Sequence, residues 1–380
     1  MDSWLSEEQA MFRRTVADFV DREVAPAARA LDEAERFPTE LFARVAGQGW
    51  LGVRYPETAG GAGGDTTTFL LLCEELARGS LGLAATVAMQ CLMGTEFLHR
   101  YGTPGQRERL FRPALRGEKV GVIAMTEPEA GSDLGAMRTR AVAEAGGWVL
   151  RGAKTWITNA TRADFFIVAA KTNPEAGFDG IDLFLVERGA AGLTVGRAIP
   201  KLGARGSETA EVFLEDVRVP GENLFGGRPG LGGKLLKGVL AEIRVMTGAL
   251  SLGLARAALD AALGYAAKRQ AFGKAIRDFQ AIRHKLAGMA TELAAARALV
   301  YRAASEMDRG RPDPTLAAMA KLFASEMANR VADETTRIFG AYGFAMEYDA
   351  QRYFRDARFL LYGGGTSEIL KDVIAQSLTR

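Results

Sequence analysis

MTEPEAGSDLGA, Met125 to Ala136, follows the apolar run Val120-Gly121-Val122-Ile123-Ala124 and precedes Met137-Arg138-Thr139-Arg140. The apolar run reads as a buried strand. Pro128 and Gly131 then force a turn with exposed backbone amides, and Thr126, Ser132 and Asp133 add short polar groups. A strand opening into such a loop can aim N–H and O–H donors at a flat polar ligand. Read alone, the segment is equally a surface loop after a core strand.

Working outward, the pattern is helical from Ser6 to about Lys119. Ser6 is a plausible N-cap with Glu7 and Glu8 in the first turn, and Asp65 is a second cap after the glycine cluster Gly60 to Gly64. No strand precedes that cluster, so it reads as an inter-helix loop and not a phosphate cradle. From about Val120 to Gly227 the period shortens. Trp148-Val149-Leu150, Phe165 to Val168, Ile181 to Val186, Leu193 to Val195 and Glu211 to Phe213 are short runs broken by glycine and proline, as in a mostly antiparallel β domain. Beyond Gly230 the chain is helical again, with segments near 235–271, 279–309, 314–340 and 349–359, rich in alanine and leucine. The predicted fold class is therefore α+β, with a helical domain over 1–119, a β domain over 120–228 and a helical bundle over 229–380.

Composition narrows the function classes. The 380 residues are 48% hydrophobic with a formal charge of +2, which gives no reason to expect nucleic acid or an anionic membrane as partner. Two cysteines, Cys73 and Cys91, and two histidines make a disulfide framework or a histidine metal site unexpected. The acidic start MDSWLSEEQA does not read as a targeting peptide, and no apolar run of about 18 residues stands out, so a cytoplasmic protein is expected. GGRPGLGGK, Gly226 to Lys234, imitates a P-loop but carries Arg228 and Leu235 at required positions, and no G-x-G-x-x-G follows a strand.

TEP-x-x-GSD, followed by Lys154-Thr155-Trp156-Ile157-Thr158-Asn159, resembles the acyl-CoA dehydrogenase family of flavoproteins, and matching segments extend from about Leu5 to Ile374. The resemblance implies an FAD-dependent oxidoreductase of fatty-acid-type metabolism that makes an α,β double bond in an acyl thioester, on coenzyme A or a carrier protein. It implies that Ile123, Ala124, Met125 and Thr126 contact the isoalloxazine edge, that Trp156 flanks the ring, that Thr158 hydrogen-bonds near N5, that Ile157 is a further cofactor contact, and that Ser132 meets both flavin phosphate and the pantetheine arm. KRQAFGKAIRDFQAI, Lys268 to Ile282, resembles the segment that reaches a neighbouring subunit's FAD, which carries over Arg269, Phe272 and Gln280 and implies a homodimer or homotetramer. Arg337, Gly340 and Ala341 fall at adenine-proximal positions, where Arg337 and Ala341 replace the usual glutamine and glycine. Thr366 and Glu368 match further FAD contacts. An electron-transfer flavoprotein or oxygen would take the electrons.

The departure is the base. Relatives carry a glutamate directly before Gly-Thr-Ser; here that position in Leu361-Tyr362-Gly363-Gly364-Gly365-Thr366-Ser367 is Gly364. Its N–H can still polarise the thioester carbonyl. A second branch of the family places the base directly before an arginine that lies 25 residues ahead of the Arg269 position; that arginine is Arg244, preceded by Ile243, with Glu242 one step back. One residue is ~100° of helix rotation. Glu242, in an apolar helix whose Ala249 and Gly253 leave room for an acyl chain, is expected as the base, with Ala241, Arg244, Gly365 and Ser132 near substrate. Glu242 as a structural partner of Arg244, or no base at all, stays open beside this. So do a flavin monooxygenase or N-hydroxylase, which needs no α-base, and a non-catalytic FAD-binding protein.

Overall fold

The computed structural model describes residues 4–379. The reading of the first ten residues as free of a targeting signal rests partly on residues 1–3, outside that range.

Three blocks follow one another. Helix α1 (Glu7–Phe19) begins where expected, in a capping box between Ser6 and Gln9. Helix α2 (Thr66–Gly79) is capped by Asp65, whose carboxylate accepts the Thr68 N–H at 2.7 Å. Helix α3 (Leu81–Ala88) lies wholly inside the core.

The second block is a seven-stranded sheet: β1 (Gly121–Ala124), β2 (Arg140–Glu144), β3 (Gly147–Thr158), β4 (Phe165–Lys171), β5 (Ile181–Glu187), β6 (Leu193–Ala198) and β7 (Thr209–Pro220). Pairing is mostly antiparallel, as the alternating runs predict, but β1 lies parallel to β4, with Gly121 opposite Phe165. β4 is buried along its whole length, which explains its unbroken apolar sequence. β1 therefore ends on the sheet, and the chain after Ala124 leaves it at one edge.

The third block is α4 (Gly232–Lys268), α5 (Gln280–Asp308), α6 (Pro314–Phe339), α7 (Asp349–Tyr362) and α8 (Ser367–Leu378). The sequence gives no warning of α8 as a separate helix. Thr366 caps it, which turns the chain sharply at Gly363–Gly365. Between α4 and α5 a two-strand hairpin, β8 (Gln270–Ala271) and β9 (Lys274–Ala275), turns at Phe272 and Gly273, both with positive φ.

The rejected P-loop look-alike has a different role: the N–H groups of Gly230 and Gly232 at 2.8 Å and of Leu231 at 3.1 Å donate to Asp182, so a carboxylate from β5 caps the helix. One expectation changes: Gly253 makes no room for an acyl chain. A Cβ there would sit 2.1 Å from the Glu74 carbonyl, so the glycine lets α4 and α2 cross closely. Among the described residues, two helical stretches, Leu81–Tyr101 and Gly232–Lys268, are long and apolar enough to cross a membrane; the apolar window of each is 89% and 83% buried inside the fold.

Candidate active site

A cavity of about 1370 Å³ lies between the sheet, the start of α4 and the turn from α7 to α8. It exceeds the roughly 300–1,000 Å³ of an ordinary small-molecule site, which is room for two ligands side by side.

Its sheet wall is the opening segment of the sequence. Ile123, Met125, Thr126, Ser132, Trp156, Ile157 and Thr158 all line it; Ala124 is buried behind them. Glu127, unremarked in the sequence, holds this wall. Its buried carboxylate accepts the N–H groups of Arg138 (2.6 Å) and Thr139 (2.9 Å) and the Lys154 ammonium (2.7 Å), and Lys154 also donates to the Met125 carbonyl at 3.1 Å. Burial pushes Lys154 down to about 8 against the pull of Glu127. Burial would raise Glu127, but Lys154 and the backbone donors hold it below the usual carboxylate range. Both ends of the loop are thereby tied to β3.

The pairing of β3 with β7 shifts register between Lys154 and Ile157, and Trp156 sits inside that bulge with φ 60°. A bulge re-aims a side chain. Here it leaves the indole 56% exposed on the cavity wall instead of packed in the core. The hydroxyls of Thr126, Ser132 and Thr158 have no protein hydrogen-bond partner among the described residues. A flat apolar face rimmed by free hydroxyl donors suits an isoalloxazine ring, so a flavin fits this wall.

The opposite wall comes from Leu240, Ile243 and Arg244 of α4 and from Tyr362 to Thr366. Gly364 has φ +74°, and a Cβ there would stand 3.1 Å from Thr247 Oγ1 and 3.6 Å from Ile243 Cγ2. Behind the turn, fully buried Lys321 donates to the carbonyls of Gly365 (2.6 Å) and Leu361 (3.2 Å) and fixes the loop. Burial lowers Lys321 to about 8; Glu326 and Glu368 pull it up and Arg244 pushes it down.

Glu242 is not brought to the cavity. Its carboxylate turns to the N-terminal block, paired with Arg54 and, at 3.0 Å, with Arg100, both of which also bind buried Glu96. Burial and Glu96 raise the Glu242 pKa while Arg54 and Arg100 lower it, so Glu242 is one corner of a four-residue ion network. Nor does Glu242 pair with Arg244. Arg244 is 8% exposed, lines the cavity and has no hydrogen-bond or ion-pair partner among the described residues; its Nε is buried and unsatisfied. Burial lowers its pKa with no carboxylate to offset this. Ala241 is buried beside it and does not line the cavity, whereas Gly365 and Thr366 do.

The remaining residues lie apart. Arg269 at the end of α4, Phe272 at the turn of the β8–β9 hairpin and Gln280 at the start of α5 are exposed, Phe272 by 96%. Arg337 is paired to Asp333 at the end of α6, Gly340 and Ala341 follow it, and Glu368 faces outward on α8. None of these lines the cavity of its own chain.

Three domain families cover the chain: acyl-CoA dehydrogenase N-terminal domain over residues 6–118, middle domain over 122–217 and C-terminal domain over 230–379. The benzylmalonyl-CoA dehydrogenase of Aromatoleum aromaticum is 51% identical over 379 residues, with both chains fully covered. Butyryl-CoA dehydrogenase from Megasphaera elsdenii superposes with TM-score 0.96 at 36% identity, covering 100% of both chains. A prolyl acyl carrier protein oxidase gives TM-score 0.94 at 30% identity, covering 98% of this chain and 99% of that one.

Proposed function

The chain belongs to the acyl-CoA dehydrogenase family and is a flavin-dependent α,β-dehydrogenase of acyl thioesters; we propose that its flavin is FAD and that its acyl group arrives on coenzyme A or a phosphopantetheine carrier. The observation that carries this is the wall of Thr126, Ser132, Trp156 and Thr158, held rigid by Glu127 and Lys154. FAD, when bound, supplies the hydride acceptor. The protein's part is placement. Thr126 and Thr158 orient the ring, Trp156 covers it, and the Gly364 N–H and Gly365 present the thioester opposite. Lys321 keeps that turn in place.

The adenine half of FAD is proposed to extend toward Arg269, Phe272 and Gln280 of a second copy, with Arg337, Gly340, Ala341, Thr366 and Glu368 nearby. Exposed Phe272, Tyr342, Phe344 and Met346 support a subunit contact there. A cytoplasmic homodimer or homotetramer passing electrons to an electron-transfer flavoprotein or oxygen, in acyl-thioester and fatty-acid-type metabolism, is the setting this reading favours. The name of the 51% identical relative makes a malonyl-type thioester, with a carboxylate on Cα, the first substrate to try.

Purified protein incubated with FAD is expected to stay yellow after desalting, and its colour to bleach anaerobically with a matching acyl thioester. Protein that stays colourless overturns the reading, and Lys154→Met is expected to weaken FAD retention by loosening the wall.

A further inference from the structure

Resting on the reading of the cavity as the flavin site, we propose that Asp356 is a positioning residue. Its charged carboxylate, reaching from α7, holds the loop between β6 and β7 against the cavity, and a proton on it loosens that wall and the flavin's seat.

The loop covers residues 199–208, and Pro200, Lys201, Leu202, Gly203, Ala204 and Ser207 line the cavity. It feeds directly into β7, where Thr209 stands opposite Thr158, a hydroxyl of the flavin wall. The Ile199 N–H donates to the Thr209 carbonyl and the Asn159 N–H to the Glu208 carbonyl, both at 2.7 Å, so the loop is bonded to the end of β3.

Its tip rests on α7. A Cβ on Gly203 would stand 2.3 Å from the Arg355 carbonyl, so the two backbones touch there. Ala204 has φ 49°, a left-handed backbone that an L-residue keeps only where its surroundings hold it. Asp356 supplies that hold: its Oδ1 accepts the Ala204 N–H at 2.7 Å. Arg355 adds a donor to the Leu202 carbonyl at 3.0 Å, and the Lys201 ammonium crosses the loop to the Ser207 carbonyl at 2.5 Å. Asp356 itself is buried behind the loop and does not line the cavity.

The charge on Asp356 is costly. Arg352, Tyr353 and Arg355 of its own helix face it, with Lys201 from the loop and Asp32 from the N-terminal helix Ala25–Ala34. Burial raises its pKa from 3.8 to about 6 and Asp32 adds to this, while Arg352, the Ala204 N–H and Arg355 pull it down. A carboxyl raised in this way stabilises the fold while protonated, and that contribution is lost as pH climbs through about 6. At neutral pH the fold therefore carries a charge that lowers its stability. The charge supplies a firmer bond to Ala204, since an ionised acceptor binds an N–H roughly twice as strongly as a neutral one. Acid thus favours the whole fold at this group and weakens the grip on the loop. A carboxylate kept for stability would lose both together.

The test uses FAD-loaded protein diluted at a series of pH values, with the rate of flavin release read from the fluorescence of free FAD. In the wild type, release should quicken about tenfold between about pH 7.5 and about pH 5, the margin between a charge-assisted and a neutral hydrogen bond, with a midpoint near 6. Asp356→Asn keeps the shape and an acceptor oxygen without the charge. It should release flavin at the fast rate across the whole range, and its thermal midpoint at pH 7.5 should equal or exceed that of the wild type. Wild-type release that does not change with pH overturns the proposal, and needs no variant to show it. So does an Asp356→Asn protein that keeps the step, or one that melts earlier or fails to fold, since the charge would then serve the fold. Each of these leaves the flavin reading intact; protein that retains no flavin even at pH 7.5 overturns both.

Discussion

Replacing Gly364 by alanine probes the turn on which the missing base depends. The left-handed backbone at φ +74° costs an L-residue roughly 1–2 kcal/mol. The new Cβ would stand 3.1 Å from Thr247 Oγ1, a hydroxyl already committed to the Ile243 carbonyl at 2.9 Å, so helix α4 must give by a few tenths of an ångström. Against this, alanine restricts the unfolded chain and returns about 0.4–1 kcal/mol. The net loss is about 1 kcal/mol. With an unfolding entropy of about 2.1 cal/mol/K per residue, 380 residues give roughly 0.8 kcal/mol/K, so the thermal midpoint should fall by only about 1–2 °C. Differential scanning calorimetry of the loaded protein reads this directly. Gly364→Glu carries the same strain but puts a carboxylate at the position relatives use, and should gain α-deuterium uptake on saturated acyl thioesters. An unchanged or raised midpoint for Gly364→Ala would refute the left-handed assignment. A drop beyond about 5 °C would refute the claim that the turn tolerates a Cβ at modest cost.

Arg54→Met strands Glu96 and Glu242 with Arg100 alone; breaking such a buried network costs roughly 3–5 kcal/mol, and a urea midpoint that barely moves would show the network idle. Glu242→Gln, in contrast, should leave turnover of the best acyl thioester as in the wild type, since the side chain faces Arg54; lost turnover with intact folding would return Glu242 to the chemistry. Lys321 and Lys154 sit at about 8, below an unfolded lysine near 10.4, so the folded state binds fewer protons between those values. Stability should therefore rise as pH climbs from about 8 toward 10.4 and be lowest with both groups charged, a slope that Lys321→Met should reduce. Over the same range, thioester affinity should fall modestly as Lys321 loses the charge that strengthens its hydrogen bond to the Gly365 carbonyl, and an affinity flat from pH 7 to 10 would contradict that role.

Much of the architecture is readable without coordinates because its signals are local. Ser6 and Asp65 cap helices by bonding residues three positions on, and β4 declares its burial by an unbroken apolar run. The cavity wall is readable only through its resemblance to a family, since Trp156 owes its exposure to a bulge against β7 that no spacing rule announces. The direction of Glu242 is not readable at all. It is decided by Arg54, 188 positions earlier, and a helix one residue out of register looks the same in sequence whichever way the acid turns. Glu127 and Lys321 stay hidden for the same reason: each meets its partners only after distant segments pack. Arg244 is the converse case, a charge whose importance lies in having no partner, which only the assembled cavity reveals.

The most direct measurement is the fraction of bound flavin bleached when the FAD-loaded protein is mixed anaerobically with a panel of acyl thioesters. The account predicts that a matching thioester bleaches one flavin per site and is recovered as its α,β-unsaturated product. Retained flavin that no thioester bleaches would contradict it.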